Sequence, residues 1–274
     1  MKKKIIIITI VIVIIGALVG VYFGYVKPLV EAKKAYNDIV STINDKNNKL
    51  DNSIDNLQKL VNSGEKPLDE SLTESSKEII KEAQADKYVI EKMPSGRKKI
   101  EQATEKLKNE NIDYTDITNK LDNQTNNLSK SIESYKKFIN PTQDYVISKL
   151  ATIDEVGSIM PATEDNDPNE QLNKEKGYTC DIYFESKNVD RSKIYDSEGK
   201  DILTIGTEGG GSIEVYKTEE DAIKRRDYLA GYDGGIFASG THRVVGTTLI
   251  RTSHKLNATQ QKELEQKIID ALAN

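Results

Sequence analysis

The spacing of apolar positions changes three times along the chain, and each change marks a different kind of segment. From Ile5 to Val26 the chain reads IIIITIVIVIIGALVGVYFGYV, 22 residues without a charge. At ~1.5 Å rise per residue, a helix of that length spans roughly 33 Å, enough for a ~30 Å hydrocarbon core. Tyr22 and Tyr25 stand near its far end, where amphipathic rings prefer the headgroup level. The reading is a transmembrane signal anchor over 5–26 behind a short tail, 1–4. A cleaved leader is the rival, with an apolar core of ~7–15 residues followed by a small-x-small site. Here Gly16, Ala17 and Gly20 fall inside the apolar run.

Beyond the span, a three/four spacing takes over. Tyr36, Val40, Ile43, Asn47, Leu50, Ile54, Leu57 and Val61 mark one apolar seam. Asn47 interrupts it, where a buried polar residue more often fixes register than binds anything. Gly64–Pro67 ends this helix, and a second is predicted from about Asp69, with Leu72, Ile79, Ala83 and Ile90 on one face and a capping box at Ser71-x-x-Glu74. Met93-Pro94-Ser95-Gly96 breaks it, since proline lacks the N–H donor. Ile100, Ala103 and Leu107 mark a short helix, then Tyr114, Ile117, Leu121, Leu128, Ile132, Tyr135 and Ile139 a longer one. Asn140-Pro141 reads as an N-cap and first helical position, opening a last helix through Leu150 and Ile153. Narrow stripes with polar flanks must bury their seam on another helix, and the short turns favour an antiparallel bundle. Residues 27–156 are therefore read as a helical stalk, bundled or coiled.

The third regime alternates. After a polar linker, 157–176, the segments Tyr178–Phe184, Ile202–Ile205, Ser212–Tyr216 and His242–Thr252 read as strands. Thr218-x-x-Asp221 and Asn257-x-x-Gln260 cap two helices, the first through Leu229 and the second through Leu272. The predicted order over 177–274 is β-β-β-α-β-α, a small α+β head with a β-α-β crossover wherever the strands around the first helix run parallel.

Composition sharpens these boundaries. Residues 27–160 hold three glycines, whereas 161–274 hold eleven and five of the six arginines. Thirty-nine basic against 44 acidic side chains, a net charge of −5, give no electrostatic reason to expect nucleic acid. One cysteine, Cys180, rules out an intrachain disulfide framework or a Cys-rich zinc module, and excludes a lipid-modified cysteine after the span. Lys2, Lys3 and Lys4 abut the span and favour a cytoplasmic N-terminus, although Lys27, Lys33 and Lys34 follow it. The bulk of the chain is then extracytoplasmic.

The runs GYTCDIYF, GGSIEVYKTEEDAIKRRDYLAG and SGTHRVVGTTLIRTSHKLNATQQKELEQKI lie in the last third of the chain. That region, roughly 156–274, resembles the C-terminal domain of uncharacterised membrane-anchored extracytoplasmic proteins of Gram-positive bacteria. The resemblance implies a membrane-tethered α+β domain and brings no activity, cofactor or site residue with it.

Candidate chemistry is sparse. Asp165, Asp167 and Asn169 alternate like the opening of a calcium loop, but Glu170 and Lys176 stand where an EF-hand needs Gly and Glu. A solvated acidic linker is the better reading. Gly206-x-x-Gly209-Gly210-Gly211 leads into a strand with no lysine beside it, so it reads as turn glycines before a phosphate cradle. Cys180 shares a face with Ile182 and Phe184 and reads as packing, while His242 and His254 lack a catalytic context. Arg225, Arg226, Arg243 and Arg251 read as solvated ion-pairing residues. The preferred ligand loop is Gly231–Gly240 (GYDGGIFASG), with Tyr228, Tyr232, Asp233 and Phe237 as its candidate contacts; the alternative has these aromatics closing the core.

The expectation is thus a membrane-anchored structural or binding module. Its partners are the lipid bilayer, through the anchor, and an envelope protein or a second copy, through the helices; no nucleic acid, metal or cofactor is expected. An envelope-associated enzyme and a cytoplasmic scaffold of inverted topology are the two competing readings.

Overall fold

A computed structural model describes residues 2–235 and 240–274. The chain forms two compact units, Met1–Gly64 with Leu72–Asn126, and Glu65–Ser71 with Asn127–Asn274.

In the helical unit, α1 (Lys2–Val21) passes through one π-helical turn, Tyr22–Val26, into α2 (Lys27–Asn62). The wide turn sits directly before Pro28. Proline offers no N–H to the carbonyl four residues back and its ring crowds that carbonyl, so the backbone widens there. From Ile6 to Val26 every large apolar side chain is exposed, to 64% at Val13 and Leu18, whereas Ala32 is only 7% exposed. Among the described residues this is the one helix long and apolar enough to cross a membrane.

Below the apolar segment, α2 buries Ala32, Tyr36, Ile43, Asn47, Leu50, Ile54 and Leu57, and Val40 and Val61 are half-buried. Tyr36 and Ile43 pack with Ile100 and Leu107 of α4 (Arg97–Asn109), so this part of the stripe is covered within the chain. Asn47 bonds at both ends of its amide: its Nδ2 donates to the Tyr88 carbonyl at 3.0 Å and its Oδ1 accepts from the Tyr114 hydroxyl at 2.8 Å.

The second helix differs from expectation. α3 (Ser71–Asp86) stops at Asp86, and its buried face is Ser76, Ile80 and Ala83 in place of Ile79 and Ile90. Asp69 accepts from the Ser71 N–H and hydroxyl, and Glu74 pairs with Lys77, so the capping box does not form. Residues 87–93 run without helix, and Tyr88, Ile90 and Met93 pack into the α2–α4 core. Tyr-Val-Ile favours extended backbone, and Pro94 restricts the residue before it. α5 (Thr115–Lys136) supplies Ile117 and Leu121 to burial in this unit.

Besides Glu65–Ser71, the sheet unit takes in the chain from Asn127 onward, earlier than residue 156. The reason is a tie at Phe138. The carbonyl of Phe138 accepts from the Thr247 N–H (3.0 Å) and the Thr248 hydroxyl (3.0 Å), and the Asn140 N–H donates to the Thr247 hydroxyl at 2.7 Å. Asn140 takes a positive φ of 49°, and the N-cap moves to Thr142, whose hydroxyl accepts from Tyr145 N ahead of α6 (Gln143–Leu150).

The five strands are β1 (Val156–Pro161), β2 (Tyr178–Ser186), β3 (Gly210–Tyr216), β4 (Thr241–Val245) and β5 (Thr248–Thr252), in the order β1-β2-β3-β5-β4 with every neighbouring pair antiparallel. Three sequence expectations are corrected here. The linker contains β1, an edge strand whose terminal Pro161 costs no interior ladder bond. Ile202–Ile205 is a single helical turn, α7, because the Asp201 carboxylate caps Thr204 N at 2.8 Å and overrides the β-branched side chains. Residues 242–252 are a hairpin broken at Gly246, where φ is +57°. α8 (Glu219–Ala230) joins β3 to β4, which run in the same direction with β5 between them. α9 (Ala258–Ala273) closes the chain under a complete capping box at Asn257 and Gln260.

Candidate functional site

Alternation along each strand creates two sheet faces, and helices and loops cover both. Cys180, Ile182, Phe184, Ile213, Val215 and Ile250 form one face, sealed by Val146 and Leu150 of α6 and Leu264, Ile268 and Leu272 of α9. Cys180 lies in this core, where burial pushes its thiol up to about 12. It packs in the core, as the alternation predicts, and burial disfavours its thiolate form.

The other face is polar through its middle. Strand register places Tyr183, Ser212, Arg251 and His242 in one row, and Asp181, Glu214, Leu249 and Val244 in the next. Two small apolar clusters flank these rows. One joins Tyr178, Tyr216 and Leu249 to Ala222 and Leu229 of α8; the other joins Tyr183 to Ile202 and Leu203. Every residue of β3 is buried, so Glu214 is a carboxylate inside the protein.

Glu214 is held from three directions. It accepts from Arg251 Nη1 at 2.7 Å, Arg225 Nε at 3.1 Å and the Tyr216 hydroxyl at 2.6 Å. Burial raises its pKa, but the two guanidiniums and the phenol outweigh burial, and the carboxylate titrates below its ordinary range. Arg225 also donates to Asn169 at 3.1 Å. Arg251 and Arg225 are thus not the solvated arginines expected from the sequence: their side chains are 7% and 16% exposed. Arg226, by contrast, pairs with Asp227 on the surface.

Asp181 and Ser212 differ from Glu214 in having no side-chain hydrogen-bond partner within the described protein. Neither oxygen of Asp181, nor the Ser212 hydroxyl, nor His242 Nδ1, nor Arg251 Nε meets a hydrogen-bond partner. The Tyr183 hydroxyl, which accepts from Asn169 at 3.0 Å, is a donor near Asp181 but stands outside direct hydrogen-bond geometry with either of its oxygens.

The loop carrying Asp165, Asp167 and Asn169 folds around Asp167. One oxygen accepts from the Asn169 N–H and the Tyr178 hydroxyl, and the other from the N–H groups of Gln171 and Leu172. Its acceptor sites are used by the chain itself, so it organises the loop and presents nothing to a cation. Among the described residues no group of three or more His, Cys, Asp or Glu side chains is placed to hold a metal ion. Gly210 and Gly211 are close-approach glycines: an added Cβ would lie 2.3 Å from the Phe184 carbonyl and 2.2 Å from the Arg251 carbonyl, respectively.

Of the predicted loop contacts, Tyr228 and Tyr232 lie on the surface, 58% and 39% exposed. Their rings meet edge-on with centroids 5.3 Å apart, and their hydroxyls are 3.1 Å apart. Arg225 stands 5.6 Å over the Tyr228 ring, which connects the exposed pair to buried Glu214. Asp233 Oδ2 pairs with His242 Nε2 at 3.2 Å. Phe237 lies outside the described residues. His254, at the end of β5, stands 3.9 Å from Glu208.

Asp181 and Glu214 escaped the sequence reading, because Ser212, Glu214 and Tyr216 alternate as a solvated strand face would. The available signal was the three tyrosines, 178, 183 and 216, interleaved with those acids: large rings beside charges suit a covered face. Family models, curated proteins and solved structures offer no match to the chain.

Proposed function

We propose that this chain is a single-pass membrane-anchored binding module whose bulk lies on the extracytoplasmic side. The carrying observation is the bare apolar surface of Ile6–Val26, with sixteen large apolar side chains exposed in one helix. Each such side chain gains about 1.5–3 kcal/mol when removed from water, and none of the described residues covers them. A bilayer supplies the missing cover. The contiguous Lys2–Lys4 run supports a cytoplasmic N-terminus.

A binding role fits the sheet unit better than catalysis. Its buried thiol is inert, and its paired carboxylates, Asp181 and Glu214, are sealed from solvent. The exposed groups Tyr228, in the last turn of α8, and Tyr232 and Asp233, on the loop just beyond it, lie at the C-terminal end of that helix.

Two measurements test the anchor and its orientation separately. The full chain should stay with membranes through an alkaline wash, and deletion of 2–26 should release it. Protease added to intact cells should then digest the chain beyond the span. Full protection, together with a reporter after Asn274 that works only in the cytoplasm, would overturn the orientation and leave the anchor standing.

A further inference from the structure

We propose that Asp181 and Glu214 hold one proton between them, carried by Asp181, and that this makes the sheet unit a pH-responsive fold that weakens as its surroundings turn alkaline. The two residues are direct partners across β2 and β3, and both are fully buried. Carboxyl groups at opposite positions of an antiparallel pair spring from Cβ atoms about 4.5–5.5 Å apart. Two like charges there, both buried from bulk solvent, cannot both persist.

Partner asymmetry decides which residue keeps the proton. Glu214 accepts from Arg251, Arg225 and Tyr216, an environment that fits only the ionised form. Asp181 has no donor at either oxygen, so ionising it would leave a bare buried charge.

Charge counting from every packed element agrees. β5 contributes Arg251, α8 contributes Arg225, β3 contributes Glu214 and Tyr216, and the 163–173 loop contributes Asp167. β2 itself adds Tyr178 and Tyr183; β4 adds His242, already paired with Asp233; α7 beside Tyr183 adds no titratable side chain. Both arginines bond Glu214 and neither bonds Asp181, on which Arg251 acts only from a distance, while Asp167 is held by neutral donors. Burial, then the Glu214 charge, raise the Asp181 pKa well above the ordinary carboxylate range, which points the same way.

The sign of the consequence is unusual for an acid. The unfolded chain releases this proton near pH 4, the ordinary aspartate value, whereas the folded chain retains it. The contribution to stability is complete below that pH and is lost as pH rises towards the raised folded value. In that window one extra proton is bound by the folded state, so the unfolding constant rises about tenfold per pH unit.

The test uses the full chain in detergent micelles. Infrared spectra at pH 7 should contain the carbonyl band of a protonated carboxylic acid, shifted by ¹³C-aspartate but not by ¹³C-glutamate labelling. Asp181→Asn should remove the band and, compared with wild type between pH 5 and 7, should abolish about tenfold per pH unit of unfolding. No such band in the wild-type protein, or equal slopes in the two proteins, would overturn the proposal; the labelling experiment needs no variant to fold.

Discussion

The Arg251 guanidinium donates to the Glu214 carboxylate at 2.7 Å, in a place where Glu214 is fully buried and Arg251 is 7% exposed. Removing one member of such a pair leaves an uncompensated charge inside the protein, which is worse than never having built the pair. Arg251→Met should therefore cost about 3–5 kcal/mol in urea unfolding. A loss below ~1 kcal/mol would mean that Arg225 alone neutralises Glu214.

Asp167 should show the opposite pH behaviour to Asp181. Burial raises its pKa, but hydrogen bonds from Tyr178 and the N–H groups of Leu172, Asn169 and Gln171 outweigh burial and hold it below the ordinary value. Its stabilising effect is present above the unfolded aspartate value of about 3.9 and disappears as pH falls through the lower folded value. Asp167→Asn should cost about 1–3 kcal/mol at pH 7. Melting curves of variant and wild type should converge in strong acid, and a constant gap at all pH values would refute the assignment.

In the helical unit the Tyr114 hydroxyl has two tasks, donating to Asn47 and accepting from the Tyr88 N–H, each at 2.8 Å. Tyr114→Phe should destabilise that unit by roughly 1–3 kcal/mol, because it orphans both partners. A cycle with Asn47→Ala should show coupling above ~0.5 kcal/mol. Strict additivity would indicate that the two side chains act separately.

Glycines 211 and 231 should separate cleanly. An added Cβ at Gly211 would stand 2.2 Å from the Arg251 carbonyl and 2.5 Å from the Phe184 ring, forcing β3 from β5. At Gly231 the nearest atom is 3.3 Å away and φ is −61°. Gly211→Ala should cost at least ~1–3 kcal/mol, whereas Gly231→Ala should stay within about 1 kcal/mol. Comparable melting temperatures for the two variants would contradict the strand spacing described.

Local patterns carried much of the architecture. The apolar run, the α2 seam with its Asn47, the α8 and α9 caps and the core position of Cys180 all follow from period and capping chemistry within a few residues. Misreadings cluster where distant groups compete with local preference. Ile202–Ile205 became a helical turn because Asp201 caps it, and residues 87–93 left the helix to fill the α2–α4 core. β1 was hidden because an edge strand needs little hydrophobicity of its own once β2 provides the ladder.

The amino-acid order by itself determined where the chain is greasy, where it is helical and where it turns, since those depend on side chains a few positions apart. Only the tertiary structure decided that Asp181, Glu214, Arg225 and Arg251 meet away from water. Whether a polar strand face is solvated or covered depends on what packs over it from elsewhere in the chain. Charge balance and protonation at that face follow from the cover, so neither could be read from alternation along β2 and β3.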